Sequence, residues 1–103
     1  MSKSIMQEDS EYCYIHMKYL GLYVKATDEH HCQHGNKRQY ADDDGLTIFL
    51  CRKCHSLLHD KGIHDLDMQK ESEKVWLTYY NKTIPDWIKR YDMNYLDEED
   101  FIS

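Results

Sequence analysis

Apolar and polar positions divide the chain into a ligand-rich first half and a helical second half. From Glu11 to Thr27, a turn carrying Cys13-Tyr-Ile-His16 leads into Tyr19-Leu-Gly-Leu-Tyr-Val24, an aromatic and β-branched run that suits a short strand. Asp28 to Gly45 holds the doublet His30-His31 and a polar loop punctuated by Gly35 and Gly45. Leu46-Thr-Ile-Phe-Leu50 is a second strand candidate. Cys51 to His59 starts as a turn and continues as a short helix, ended by Asp60-Lys61-Gly62. A second helix is predicted from about Asp67 to Tyr80, where Met68, Val75, Trp76, Tyr79 and Tyr80 recur at helical spacing on one stripe. Thr83-Ile-Pro-Asp86 has the layout of a helix start: Thr83 as cap, Pro85 in the first turn, Asp86 where a capping-box acid belongs. Trp87, Ile88 and Tyr91 make the buried face of that helix, and these aromatics read as core. The α+β domain predicted in this way covers residues 11–96, with a core at 12–62 and a helical part at 66–95. Residues 1–10 read as a disordered N-terminus and residues 97–103 as an acidic tail.

With 103 residues there is limited apolar area to bury, yet the chain carries seven histidines and four cysteines. No apolar run approaches the roughly 20 residues of a membrane span. The first residues lack the basic-then-apolar layout of a secretory signal. Read as cytoplasmic, where disulfides are rare, Cys51-Arg-Lys-Cys54 is a metal knuckle; a secreted disulfide protein is the competing reading. The net charge of -6 argues against a protein that coats nucleic acid by bulk electrostatics. Local contact stays open, because Asn36-Lys37-Arg38, Arg52-Lys53 and Lys61 lie near the histidines while acid gathers in 42–44 and 97–100. An ordinary solvated surface is the plain alternative for those basic residues.

Two donor sets can be assembled. Cys13-x-x-His16 and Cys51-x-x-Cys54 together supply three thiolates and one imidazole, a tetrahedral structural zinc set. Short strands and one short helix bury little alone, and bound zinc contributes on the order of 10 kcal/mol to folding. Cys32 competes with His16 as the fourth donor. The second set is His30, His55 and His59. Two imidazoles four residues apart share one helix face, and a third from the doublet makes a three-histidine set with an open position, the arrangement of a catalytic metal. Cys54 and His55 are neighbours whose side chains diverge, so two ions need share no donor. His31, adjacent to His30, stays free as a general base. A single histidine-rich zinc site, with His31 and His59 on the surface, is the alternative.

Glu29-His30-His31 and Gly45-Leu-Thr-Ile-Phe-Leu-Cys51-Arg-Lys-Cys54-His55-Ser-Leu-Leu-His59 resemble the HNH, or ββα-metal, nucleases. The likeness to colicin-type DNases lies in the double histidine and His-x3-His; that to zinc-knuckle HNH proteins lies in the flanking knuckles. Small phage-type HNH-like proteins are the closer match, through Cys13-x-x-His16, His30-His31, Gly35-Asn-Lys-Arg38, Gly45-Leu46, Cys51 to His55 and His59, and through the helical stretch from Gln69 to Leu96. The resemblance spans most of residues 12–96. It implies a zinc-stabilised ββα-metal core with C-terminal helices, in which a strand carries the doublet, and a phage-encoded endonuclease acting on DNA in a bacterial host cell. Some of these phage proteins are grouped with the RecA-dependent nuclease Ref, which implies DNA recombination or processing and a recombinase as partner. Two departures stand out. Gly45-Leu46 occupy the position of the central asparagine that orients the base histidine, with Asn36 as a candidate substitute, and His16 stands where the family has a knuckle cysteine.

In the nuclease so implied, a divalent ion (zinc, manganese, nickel or magnesium) on His30, His55 and His59 binds the scissile phosphate. His31 deprotonates water, and Arg38, or Arg52 and Lys53, holds a flanking phosphate. Glu29 orients a ligand histidine or falls outside the site. The rival is a catalytically inactive HNH-like zinc module that binds a host or phage protein, motivated by the acidic balance and the missing asparagine. A zinc-finger regulator is disfavoured because no helix carries a basic face for groove reading.

Overall fold

The computed structural model describes residues 4–97, 99 and 100. Two four-residue strands, β1 (Asp28–His31) and β2 (Thr47–Leu50), pair antiparallel with Asp28 opposite Leu50 and His30 opposite Ile48. Between them lie a 3-10 turn, Gly35–Lys37, and helix α1 (Arg38–Asp44); after them come α2 (Arg52–Lys61), α3 (Asp65–Tyr79) and α4 (Ile84–Tyr91). No helix among the described residues is long and apolar enough to cross a membrane.

The first strand is not the apolar run at Tyr19–Val24. His16–Leu20 winds instead into a π-helical turn that Gly21 ends at φ +65°, and only Lys25 makes a bridge, to Tyr12. The knuckle explains this: bringing Cys13 and His16 to one point requires a turn, and the π-helical turn that begins at His16 uses up Tyr19 and Leu20 before any ladder can form. The strand at Asp28–His31 is polar throughout, so its partner across the sheet decides it rather than its own propensity. α1 likewise lies in what reads as loop, since Ala41 is its only buried residue.

Alternation along the strands sorts the side chains. Asp28 and His30 share a face with Leu50 and Ile48, which pack with Cys13, Ile15, Cys32, Cys54, Leu58 and Met68 in a core beneath α2. A second core joins α1, α3 and α4 through Ala41, Leu46, Trp76, Trp87 and Tyr91. Its polar centre is Asp44. The carboxylate accepts from Trp76 Nε1 at 2.9 Å, Arg90 Nε at 2.6 Å and Tyr91 Oη at 2.5 Å, while its carbonyl accepts from Tyr80 Oη at 2.9 Å. This lock fixes the end of α1.

α2 runs as expected, and Gly62 terminates it at φ +66°. α4 starts with the capping box of Thr83 and Asp86, whose carboxylate accepts from the Thr83 N–H at 3.0 Å. Some predicted buried faces are turned. Ile88 is 41 % exposed and Tyr79 is 64 % exposed, whereas Ser72 and Glu73 of α3 are buried. The beginning of the chain is tied down: Ser4 donates to the Thr47 carbonyl, Ile5 N–H to Gly45, and Gln7 Oε1 accepts from Phe49 N–H at 2.8 Å. These bonds cover the outer edge of β2. Of the expected disordered N-terminus, residues 1–3 lie outside the described residues. In the acidic tail, Asp100 pairs with Lys70 at 3.3 Å, and residues 98 and 101–103 lie outside the described set.

Candidate functional site

The two knuckles converge. One donor atom from each of Cys13, His16, Cys51 and Cys54 lies within 4.8 Å of the others, a set that can hold a metal ion. His16 Nδ1 stands 3.4 Å from Cys54 Sγ and 3.7 Å from Cys51 Sγ. All four cysteines of the chain are free. Cys32, the competitor for the fourth position, is buried in the core outside this set, and burial pushes its thiol well up. Crowding makes the cluster thiols unequal. Burial and then the neighbouring thiols push Cys54 up to about 12; at Cys51, burial is outweighed by hydrogen bonds from Cys54, so its thiol is held below the usual value. Three sulfurs and one imidazole nitrogen suit a tetrahedral structural ion.

His30, His55 and His59 also meet, with donor nitrogens within 4.8 Å of one another. His30 comes from the buried face of β1 and is 2 % exposed. Burial, followed by the neighbouring His34, His55 and His59, lowers its pKa to about 3, so the ring is neutral with its lone pair available. Its Nε2 has no hydrogen-bond partner. A buried polar atom left in this way costs about 1–3 kcal/mol, and an ion is what the other two rings supply room for. His55 and His59, one turn apart on α2, bring their Nε2 atoms to 3.0 Å. Behind His55, Nδ1 lies 2.8 Å from Asp28 Oδ2, the carboxylate-behind-histidine arrangement that fixes a ligand's tautomer. The His55 hydrogen bond, aided by Thr27 and Arg52 against the effect of burial, holds the Asp28 carboxyl below its ordinary range.

The rings border an open cleft of about 510 Å³, whose lining also includes Glu29, His31, His34, Arg38 and Asp65. His31, on the opposite strand face from His30, presents Nε2 to Asp42 Oδ1 at 3.2 Å, with Glu29 Oε1 at 4.0 Å. Asp42 reaches it from α1, two residues before the Asp44 lock. Asn36 lines the shallow depression beside His31, but the carboxylate on the ring belongs to Asp42.

Arg38 therefore joins the histidines, while Arg52 and Lys53 do not line the cleft. Arg52 instead pairs its Nε with Asp28 at 3.0 Å. Glu29 lies beside His31; the carboxylate on His55 is that of Asp28. Sequence reasoning missed four residues: Asp28, Asp42, His34 and Asp65. The first has a signal, since it stands two positions before His30 and so on the same strand face; His34 repeats the four-residue spacing from His30. Comparison with known protein families, characterised proteins and solved structures finds no match.

Proposed function

We propose that the cleft is the active centre of a metal-dependent endonuclease of the HNH, or ββα-metal, kind that hydrolyses phosphodiester bonds of DNA. The observation that carries this reading is the buried, unpartnered Nε2 of His30 beside the Nε2 atoms of His55 and His59 in one open cleft. His30, His55 and His59 would hold a divalent ion, of which zinc, manganese and nickel suit three imidazoles better than magnesium. Such an ion supplies Lewis-acid stabilisation of charge developing on phosphate oxygens. Burial fixes His30, and Asp28 fixes His55. His31 takes the proton of the attacking water: with Asp42 on Nε2, the lone pair stays on Nδ1. Asp42 then does the orienting that the resemblance assigns to an asparagine. Arg38 neutralises a flanking phosphate. The knuckle ion, in this reading zinc, is structural. The resemblance extends the proposal to phage DNA recombination or processing, in a bacterial cytoplasm and with a recombinase as partner.

Plasmid nicking with a metal series tests it. His31→Ala is expected to lower cleavage at least about 100-fold with metal content and melting unchanged; equal cleavage removes the proposed base. One observation favours the second reading, a protein-binding zinc module: Leu20, Leu22 and Tyr23 of the knuckle loop are exposed together. Native mass spectrometry separates the two, with two bound ions expected for the nuclease and one for the module.

A further inference from the structure

A further histidine, besides His31, borders the same cleft. His34 follows β1 by three residues and leads into the turn Gly35–Lys37. Its ring centroid lies 5.4 Å from that of His30 and 6.4 Å from that of His59. Among the three proposed ligands the corresponding separations are 5.5 Å for His30–His55, 5.3 Å for His30–His59 and 4.6 Å for His55–His59. Four imidazoles around one tetrahedral ion, with metal–nitrogen bonds near 2.0–2.1 Å, would have centroids about 5.2 Å apart. The His34 ring is farther from His59 than the three are from one another, and its donor atom groups with those of His30 and Asp65 rather than with those of His55 and His59, so the side chain has to swing inwards to take the fourth corner.

Its hydrogen bonding fits a ligand as well. Asp65, the first residue of α3, lies 2.9 Å from His34 Nε2. A carboxylate on one ring nitrogen leaves the other for a metal, and His55 is held by Asp28 in the same manner. His30, whose Nε2 lacks a partner, is common to both donor groups in the cleft: His30 with His55 and His59, and His30 with His34 and Asp65. The ligands differ in anchorage. His30 is sealed in the core, and His55 and His59 ride on α2, but the His34 side chain is 39 % exposed and precedes a short turn.

We propose that His34, oriented by Asp65, is a displaceable fourth ligand of the centre formed by His30, His55 and His59: it closes the coordination sphere at rest and yields its position to a phosphate oxygen. The inference rests on the reading of those three histidines as a metal centre, and it brings α3 into the site through Asp65.

Long-range proton–nitrogen spectra of the histidine rings test it without reference to cleavage, with the His34 signals assigned by their loss in His34→Asn. Loading both ions as zinc is expected to shift His34 Nδ1 together with one ring nitrogen each of His30, His55 and His59. Millimolar inorganic phosphate should then return His34 alone to its metal-free position. If zinc moves the other three and leaves His34 unchanged, the proposal is overturned while the metal centre stands. If none of the four moves, the metal centre fails and takes the proposal with it. A His34 signal that zinc shifts and phosphate leaves in place overturns the displaceable role. Asp65→Asn should weaken binding of the second zinc about 10-fold or more; unchanged affinity also counts against the inference.

Discussion

The cluster of Cys13, His16, Cys51 and Cys54 and the cluster of His30, His55 and His59 meet at a single peptide bond, between Cys54 and His55, yet they are built differently. The first draws its donors from the Cys13–His16 turn and the start of α2, packed with Ile15, Ile48, Leu50 and Leu58, and its sulfurs are buried beside one another. The second takes its donors from a strand and a helix at an open cleft, with Asp28 behind one ring and Asp65 behind the adjoining His34. A donor set made of competing thiols gains stability by surrendering protons to an ion. A donor set braced by carboxylates keeps its geometry ready whether or not a ligand is present. The contrast separates a cluster that builds the fold from one that the fold presents.

Breaking the first cluster should have the largest effect on folding. Cys54→Ser removes a thiolate from a set on which a structural ion would contribute on the order of 10 kcal/mol; loss of the cooperative thermal transition by circular dichroism, with loss of the metal that the cluster can hold, is expected. Next comes the lock that carries Asp42 towards His31. Asp44→Ala strands the Arg90 guanidinium, the Trp76 N–H and the Tyr91 hydroxyl, and should cost about 3 kcal/mol in urea unfolding. On the proposed nuclease reading it should also lower cleavage while leaving both ions bound.

A smaller effect of opposite sign is expected at Glu73. Its carboxyl is buried on α3 with Oε2 unpartnered, and burial raises it above its ordinary 4.5. The fold therefore favours the protonated form. That contribution is complete below about pH 4.5 and is lost as pH rises through the raised value. Glu73→Gln keeps an acceptor for the Tyr95 N–H and should gain about 1 kcal/mol at pH 7, with the gain vanishing below pH 4.5 in paired urea titrations.

The smallest change in folding sharpens the contrast most. His59→Ala, on the outer side of α2, should shift stability by less than about 0.5 kcal/mol and still release one metal equivalent by mass spectrometry. A parallel loss of the knuckle ion would show that the two clusters are one.

The parts legible in the chain were those whose chemistry is local. Gly62, Thr83, Pro85 and Asp86 mark helix ends through their own backbones, and Cys51-x-x-Cys54 and His55-x3-His59 bring their donors together within one turn. The polar strand Asp28–His31 and the short helix α1 are settled across the sheet and by the Asp44 lock, so neither has a periodicity of its own. The carboxylates behind the histidines were hidden for a related reason. Among 19 acidic residues, only its place two positions before His30 marks Asp28, and that spacing has meaning only once the segment is known to be a strand; nothing short of the packing of α1 and α3 singles out Asp42 and Asp65.

The shared boundary at Cys54 and His55 also imposes an order of assembly. The first turn of α2 is anchored by the sulfur cluster, and only an anchored α2 can aim His55 and His59 at His30. When metal is scarce, supply would thus be committed to architecture before it reaches the cleft. A chain starved of metal would forfeit its shape before it could present a well-formed but empty cleft.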